Sequence, residues 1–287
     1  MRFLCLGLLS AAWLACMAPA SAQRTVMLDV CNDTGFRVAT AAAYQTRPGA
    51  EPTLRTWFMI EPGACLEGAL NGVAGDAVDI HVMSGEWRWP ARSVDQIWCV
   101  GASGSTSLAA PPPCTAGGQA RNFRTTPIEL TGQRGAGGIA VGRVSWRIRC
   151  SDLDEADAHL CLEAPTDSQG MAEPVRTLEV CNLTSTGMEV AILEPDGTGN
   201  FTLEGVHWVE GDACGDLYRG FPRERSLMVA EVGRFHERQE GQFCLPIAQP
   251  REGRMQVEAC AEGEAPVGFR MHGFGERTAR YTAYVGR

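Results

Sequence analysis

Short runs in which apolar and polar residues alternate recur along most of this chain. The clearest run covers residues 142–149, where one set of alternate positions holds Val144, Trp146 and Ile148 and the other holds Arg143, Arg147 and Arg149. Because successive side chains of a strand point to opposite faces, this run predicts a strand with one face on a core and the other in water. Similar runs predict strands at residues 25–30, 36–44, 56–60, 77–83, 97–100, 177–181, 188–193, 227–232, 255–259, 268–271 and 280–285.

No stretch shows a sustained helical period with caps at both ends, although residues 151–162 are compatible with a short helix. The 33 glycines and 16 prolines fall mostly between the predicted strands, where turns require them. The pattern therefore predicts an all-β protein. The aromatic residues expected to fill its core are Trp57, Trp98, Trp146 and Trp208.

One stretch of the chain occurs twice. Leu-Asp-Val-Cys-Asn at 28–32 returns as Leu-Glu-Val-Cys-Asn at 178–182, and Glu-Pro-Gly-Ala-Cys at 61–65 returns as Glu-Gly-Asp-Ala-Cys at 210–214. Matching spacing together with matching neighbours indicates an internal duplication. It predicts two tandem disulfide-stabilised antiparallel β-sandwich-like domains, at residues 23–150 and 175–287. An acidic linker at residues 151–174 joins them.

The cysteine count points to an oxidising compartment. Two of the 12 cysteines lie within residues 1–22, and the remaining ten are an even number, as expected of a disulfide framework. Four cysteines per repeat allow three connectivities. We expect the pairs Cys31–Cys65, Cys99–Cys114, Cys181–Cys214 and Cys244–Cys260, with Cys150–Cys161 closing a small loop between the repeats. No Cys-x-x-Cys motif and no Cys/His cluster at zinc spacing suggests metal or redox chemistry instead.

The first 22 residues are typical of a secretory signal peptide. Arg2 precedes an apolar run at residues 3–17, and Ala20-Ser21-Ala22 is a small-x-small cleavage site, so the mature chain is expected to begin at Gln23. Periplasmic or secreted localisation follows. Lipid attachment at Cys16 is the disfavoured alternative. No later segment is apolar enough to span a membrane.

The charge of the chain excludes one class of partner. The formal net charge is −9, and loss of Arg2 with the signal makes it more negative, so neither a nucleic acid nor an anionic membrane surface is expected to bind. No particular oligomeric state is predicted.

The order of landmarks in each repeat resembles the bacterial domain of unknown function 1036. The shared landmarks are a Cys-Asn-x-Thr turn, a Trp-containing segment ending in cysteine, an aromatic-Cys pair, and a fourth cysteine before a Gly-Phe strand. They fall here at residues 31–34, 57–65, 98–100 and 114, and again at 181–184, 208–214, 243–245, 260 and 268–269. The first copy lacks the Gly-Phe strand after Cys114, and the second has Gly211-Asp212 where Pro-Gly is usual. The resemblance implies an exported, cysteine-bridged domain without an assigned activity.

Several motifs suggest chemistry, and each has a structural interpretation that we prefer. The Asn-x-Thr triplets at Asn32, Asn182 and Asn200 match glycosylation acceptors, but asparagine after cysteine also suits a turn. Trp87 and Trp89 are two positions apart, so in a strand they would point to one side, where they would stack on a sugar or anchor a partner if exposed, or fill the core if buried. We favour the turn and the core.

The second repeat holds one candidate for acid–base chemistry. Glu231, His236, Glu237 and Glu240 form a polar group that a hydrolase could use, although such groups are commonly solvated hairpin tips. The five histidines are scattered, and we assign no catalytic, cofactor or metal residue. The sequence thus favours a non-enzymatic binding or structural module of the periplasm or cell surface, with an unidentified protein or glycan partner. The alternative is a periplasmic hydrolase-type enzyme that uses Asp, Glu and His groups of the second domain.

Overall fold

The structure, a computed structural model, confirms the all-β prediction. It describes residues 23–91, 94–101, 106–115, 117–198, 201–233, 241–246, 254–255, 260, 262, 264–275 and 278–286. Strands make up 61% of it and helices 6%, and it holds five disulfides. The chain divides into two compact units. Unit 1 comprises Met1–Met83 and Arg88–Asp154, and unit 2 comprises Ser84–Trp87 and Glu155–Arg287.

The described residues of the first half of the chain form eleven strands. They are β1 (Arg24–Asn32), β2 (Val38–Tyr44), β3 (Thr53–Ile60), β4 (Cys65–Val73), β5 (Ala77–Ser84), β6 (Trp87–Trp89), β7 (Gln96–Gly101), β8 (Thr106–Leu108), β9 (Gly118–Pro127), β10 (Glu129–Arg134) and β11 (Ala140–Ile148). Short 3-10 turns occur at Ala136–Gly138 and Cys150–Asp152.

The main segment of unit 2 begins with the helix α1 (Glu155–Glu163), which overlaps the short helix that the sequence allowed at residues 151–162 and ends one residue beyond it. Its strands are β12 (Arg176–Asn182), β13 (Met188–Pro195), β14 (Phe201–Val209), β15 (Cys214–Gly220), β16 (Ser226–Glu231), β17 (Gly241–Pro246), β18 (Arg254–Met255), β19 (Glu264–Gly273) and β20 (Arg280–Val285).

The two units have corresponding strand orders. The larger sheet runs β7-β9-β5-β2-β3-β8 in unit 1 and β17-β19-β16-β13-β14-β18 in unit 2. The smaller sheet is centred on β1 in unit 1 and on β12 in unit 2. In both, the central strand pairs antiparallel with one neighbour, β4 or β15, and parallel with the other, β11 or β20. The sheets are thus antiparallel except where the last strand of a unit returns beside its first, a connection long enough to permit parallel pairing.

Alternation along the strands sets which face is buried. In β11, Val144 and Ile148 are fully buried while Arg143 and Arg147 are exposed, as the sequence pattern predicts. Trp146 on the same strand is half-buried, with the Arg124 guanidinium 5.5 Å from the centre of its ring. Trp208 contradicts the prediction that it fills the core, since 60% of it is exposed and its Nε1 donates to the Glu210 carboxylate at 2.9 Å.

The larger sheet of unit 2 buries apolar side chains on both of its faces. On one face, Val190, Ile192 and Val229 pack with Leu178 and Val180 of the smaller sheet. The opposite face, which we call the second face, forms another apolar cluster. Its members are Ala191, Leu193, Leu203, Met228, Ala230, Phe243, Val267 and Phe269. The second face of unit 1 has its own cluster, consisting of Ala41, Ala43, Leu54, Val100, Ala109 and Phe123 with Trp57 and Trp98 packed against it.

The disulfides pair as the sequence leads us to expect. Cys31 lies directly opposite Cys65 on β1 and β4, and Cys181 lies directly opposite Cys214 on β12 and β15. Cys99 is bonded to Cys114 and Cys244 to Cys260, with Cα atoms 5.4 and 5.2 Å apart. Cys150 and Cys161 are disulfide-bonded as well.

Two departures from the repeat pattern have structural explanations. The first repeat does have a strand after Cys114, namely β9, and its Phe123 faces Gln96 in the same register in which Phe269 faces Gly241. Asn122-Phe123 therefore replaces Gly-Phe.

In the second repeat, Asp212 takes the left-handed backbone (φ 54°) that Gly63 takes in the first (φ 71°). Aspartate tolerates this conformation better than most residues. Its neighbour Gly211 is required, since a Cβ there would lie 2.4 Å from the Ser185 backbone. Both turns thus share the left-handed position, but the Gly63 amide donates to the Asn32 carbonyl and the Asp212 amide to the Thr184 carbonyl.

Candidate functional site

The Asn-x-Thr motifs form buried turns. Asn32 Nδ2 donates to the carbonyls of Phe36 and Ile60 at 2.8 and 3.1 Å, while its Oδ1 accepts from the Thr34 amide and hydroxyl. The Asn32 side chain is fully buried, so its amide is committed to the fold rather than to a glycan.

Asn182 repeats this network in unit 2. Its Nδ2 donates to the carbonyls of Thr186 and Val209 at 2.8 and 3.2 Å, and its Oδ1 accepts from the Thr184 amide and hydroxyl. The structural interpretation thus holds for both turns. Asn200 lies outside the described residues.

Trp87 and Trp89 do not form an exposed aromatic pair. Their exposed fractions are 3% and 0%, and Trp89 Nε1 donates to the Arg149 carbonyl at 3.0 Å. The hypothesis that they stack on a sugar or anchor a partner is therefore wrong. Both indoles are buried in the short strand β6, which pairs with β5.

The acid–base candidate of the second repeat is only partly described. Glu231 is buried, and its Oε1 accepts from the Gly286 amide at 2.8 Å. The cavity beside it measures about 20 Å³, room for a water molecule rather than a substrate. His236, Glu237 and Glu240 lie outside the described residues.

A different group of polar side chains lies on the second face of unit 1. Asp79 on β5 accepts hydrogen bonds from Trp98 Nε1 at 2.9 Å and from Thr125 Oγ1 at 2.6 Å. Trp98 lies on β7 and Thr125 on β9, so one carboxylate joins three strands. We call Asp79, Trp98 and Thr125 the polar trio.

Unit 2 has apolar residues at all three corresponding positions. Asp79 lies opposite Ala43 on one side and Thr125 on the other. Met228 lies in the same way opposite Leu193 and Met271. Trp98 precedes Cys99 as Phe243 precedes Cys244. The same framework therefore folds with methionine and phenylalanine where unit 1 has the polar trio.

The polar trio lines a pocket of about 330 Å³ through two of its members, and we call this cavity the Asp79 pocket. Its walls come from the β2–β3 and β4–β5 connections and from β7. The lining residues are Ala43, Tyr44, Gln45, Pro52, Gly75, Asp76, Ala77, Asp79, Gln96 and Trp98. The volume lies in the range of small-molecule sites, while the lining is more polar than the largely apolar lining that is usual for them.

The pocket is negatively charged. Asp76 and Asp79 are its only ionisable side chains apart from the Tyr44 phenol, and no arginine or histidine lines it. Within the described part of the chain, neither carboxylate forms an ion pair. The arrangement can accept hydrogen bonds from a ligand and repels an anion.

His81 lies two residues from Asp79 on the same face of β5 and is 1% exposed. Its Nδ1 is 2.8 Å from the Asn122 carbonyl, so that nitrogen carries the proton and donates. Burial lowers the pKa of His81 to about 4, despite the opposing effect of this hydrogen bond. The corresponding residue of unit 2 is Ala230, opposite Ala191. His81 is thus a neutral, buried base beside the pocket.

Two other features of the described chain are less suited to ligand binding. A cavity of about 450 Å³ lies along β10 and β11, but its only polar side chains are Gln23, Gln133 and Arg134, and every residue of β10 is exposed. Asp29, Cys31 and Cys65 lie close enough together to suggest a metal site. Both sulfurs belong to one disulfide, however, and a metal ligand must be a thiolate.

The Asp79 pocket was not predicted from the sequence. Trp98 was expected in the core, and no motif marks Asp79 or Thr125. The sequence does contain one indication of the site, since repeat 1 has Asp79, Trp98 and Thr125 where repeat 2 has apolar residues. Aligning these positions requires the strand register, however, which only the structure supplies.

Comparison with known proteins identifies no relative. No family model matches the chain, and no curated protein matches it. Over the described residues, no helix is both long and apolar enough to cross a membrane. The resemblance to the domain of unknown function 1036 therefore stays a prediction, carried by the residues quoted above.

Proposed function

We propose that this protein is an exported, disulfide-stapled tandem module that binds a ligand without catalysing a reaction, and that its ligand occupies the Asp79 pocket. The observation that carries this proposal is the polar trio. Unit 2 has Met228, Phe243 and Met271 at the corresponding positions, so this fold can form without Asp79, Trp98 and Thr125. Polar groups placed where the same framework accepts apolar ones are most often there for function.

The extracytoplasmic setting is part of the proposal. An apolar leader at residues 1–22 with a cleavage site after Ala22, and ten paired cysteines in the remaining chain, together support export to the periplasm or beyond. Disulfides persist in such oxidising compartments and add stability to domains of this size.

Absence of catalysis is proposed because the described polar groups near the pocket lack a catalytic arrangement. The Asp79 carboxylate is held by two donors, Trp98 and Thr125, and the nearest histidine, His81, is buried against Trp57 and Phe123 with ring centres 6.1 and 5.5 Å away. A general base must reach the proton that it removes. Asp79 is instead arranged as a fixed acceptor for a bound group.

The experiment compares the mature wild-type chain with a triple variant, Asp79→Met, Trp98→Phe and Thr125→Met, which carries the residues of unit 2. Each protein is immobilised and washed with fractionated envelope material from the native cell, with Glu129→Gln, an exposed carboxylate of β10, as the control. We expect wild type and control to retain the same component and the triple variant to lose it. Equal retention by all three proteins would contradict the proposal.

A further inference from the structure

We propose that the ligand of the Asp79 pocket is a neutral, hydroxyl-rich ring, such as a hexose unit of a glycan. This inference rests on the proposed function, because it names the class of ligand that the same pocket takes. The charge of the pocket, its hydrogen-bonding groups and its aromatic surface all favour such a ligand.

The charge of the lining excludes an anionic ligand. Asp76 is exposed and Asp79 half-buried, and the lining contains no positively charged side chain. A phosphate, sulfate or carboxylate in the pocket would face two carboxylates with no compensating cation, and like charges at such short range repel strongly. The ligand is therefore neutral or positively charged.

The hydrogen-bonding groups favour a neutral ligand over a cation. Gln45, Gln96 and the Tyr44 hydroxyl each offer both donors and acceptors. Among the described residues none of these three side chains has a hydrogen-bond partner, and neither does the Asp76 carboxylate. An ammonium or guanidinium group carries only donors, so the amide NH₂ groups would face it unpaired. A hydroxyl both donates and accepts, and several hydroxyls on one ring match this mixed set.

The acceptor at the base of the pocket is held in a fixed position. Trp98 Nε1 and Thr125 Oγ1 each bond a different oxygen of Asp79, at 2.9 and 2.6 Å, and the Thr125 amide is itself held by Asp95 Oδ2 at 2.9 Å. A carboxylate has about four lone-pair sites, so two bonds from the protein leave it able to accept from a ligand. Such preorganisation reduces the entropy lost on binding.

Aromatic and aliphatic groups supply the apolar part of the site. Trp98 lines the pocket, and since its Nε1 already donates to Asp79, what it can offer a ligand is the carbon surface of its ring. Ala43 and Pro52 add further apolar surface. A sugar ring has C–H faces between its hydroxyl edges, and it can lie against such a surface while its hydroxyls reach the polar groups.

The experiment is calorimetric titration of the mature, oxidised chain with three kinds of probe. The neutral probes are maltohexaose, cellohexaose and mannohexaose, the cationic probe is spermidine, and the anionic probe is trigalacturonate. The variants are Asp79→Asn, which keeps groups able to bond Trp98 and Thr125 but removes the charge, and Gln45→Leu, which removes a mixed donor and acceptor. Glu129→Gln is the control.

We expect at least one neutral probe to bind saturably, and Asp79→Asn and Gln45→Leu each to weaken that binding about tenfold, the effect of one hydrogen bond. Glu129→Gln should leave the affinity unchanged, and trigalacturonate should not bind. Circular dichroism melting curves of the variants show whether they are folded.

Other outcomes overturn the inference in distinguishable ways. If spermidine binds in an Asp79-dependent manner and no neutral probe does, the ligand is a cation, and the ligand class is wrong while the proposed function stands. If no probe binds but the triple variant still fails to retain the envelope component, the ligand class is again wrong and the proposed function again stands. If no probe binds and the triple variant retains what wild type retains, the proposed function fails as well.

Discussion

At the scale of single residues, His81 is the side chain that most directly links this fold to pH. It is enclosed by Trp57 and Phe123, and its Nδ1 donates to a backbone carbonyl. Arg121 and Arg88 add like-charge repulsion to the desolvation that disfavours its protonated form. A histidine in such surroundings stays neutral in the folded state well below the pH at which it is protonated in the unfolded chain.

This environment predicts a loss of stability in mild acid. The folded pKa of about 4 lies below the ordinary histidine value of 6.5 that applies in the unfolded chain, so the unfolded state binds a proton first as the pH falls through that window. Stability then decreases with falling pH, by about 2 kcal/mol between roughly pH 7.5 and pH 5 from this group alone. Urea unfolding at the two pH values measures it, and His81→Gln should show a loss smaller by that amount. An identical loss in both proteins would contradict the assignment.

The buried asparagines show how one residue can define a turn. Asn32 and Asn182 each bond one carbonyl and two donors of the loop that follows them, and a second carbonyl at the end of β3 or β14. Leaving such groups unpaired costs about 1–3 kcal/mol each. The triplets that resemble glycosylation acceptors are therefore explained by the energetics of the turn.

At the scale of strands, the disulfide between adjacent strands is the element shared by the two smaller sheets. Cys181 and Cys214 lie directly opposite each other on β12 and β15, with Cα atoms 4.0 Å apart. The bridge closes a loop that contains β13 and β14, two strands of the larger sheet. It therefore restricts the unfolded chain across much of unit 2.

Removal of this bridge should destabilise unit 2 strongly. In the chain-entropy model, a bridge across 33 residues contributes about 3.7 kcal/mol. The double variant Cys181→Ser, Cys214→Ser should lose roughly this amount, measured as a lower urea midpoint by far-ultraviolet circular dichroism. Removal of the Cys244–Cys260 pair, which closes a loop of 16 residues, should cost less, about 3 kcal/mol. The reverse order would contradict the loop-length argument.

At the scale of the whole molecule, one framework is used in two different ways. Both units have the same strand order, the same turn asparagine and corresponding disulfides. They differ on the second face of the larger sheet, where unit 2 has Met228, Phe243 and Met271 and unit 1 has the polar trio. We interpret unit 2 as the copy that keeps a purely structural second face.

This difference predicts that apolar residues in place of the polar trio keep or raise the stability of the protein and abolish ligand binding. Asp79 and Trp98 are partly buried and Thr125 is exposed, and unit 2 accommodates methionine and phenylalanine at the same three positions. The triple variant Asp79→Met, Trp98→Phe, Thr125→Met should therefore keep its fold, with a melting temperature equal to wild type or higher by about 2–4 °C for each kcal/mol gained. Differential scanning calorimetry measures this, together with loss of ligand retention. A melting temperature well below wild type would show that the polar trio is needed for folding.

How much of this could be predicted from sequence depends on the range of the interactions involved. Strand periodicity at residues 142–149, the turn at Cys-Asn-x-Thr and the short helix after Cys150 depend on neighbours in the chain, and their patterns were readable. The exposure of Trp208 and the burial of Trp87 and Trp89 could not be predicted in this way. Alternation shows that two residues share a face of a strand, but it does not show which face is covered by other residues.

The sequence by itself determined the all-β class, the repeated landmarks and the cysteine pairs to be expected, because each depends on composition, period or spacing along the chain. Only the tertiary structure decided where the candidate site lies. Asp79, Trp98 and Thr125 come from three strands that are far apart in sequence, and they meet because β9 pairs with both β5 and β7. Strand pairing at long range follows from packing of the whole sheet, so no local pattern records that these three side chains form one site.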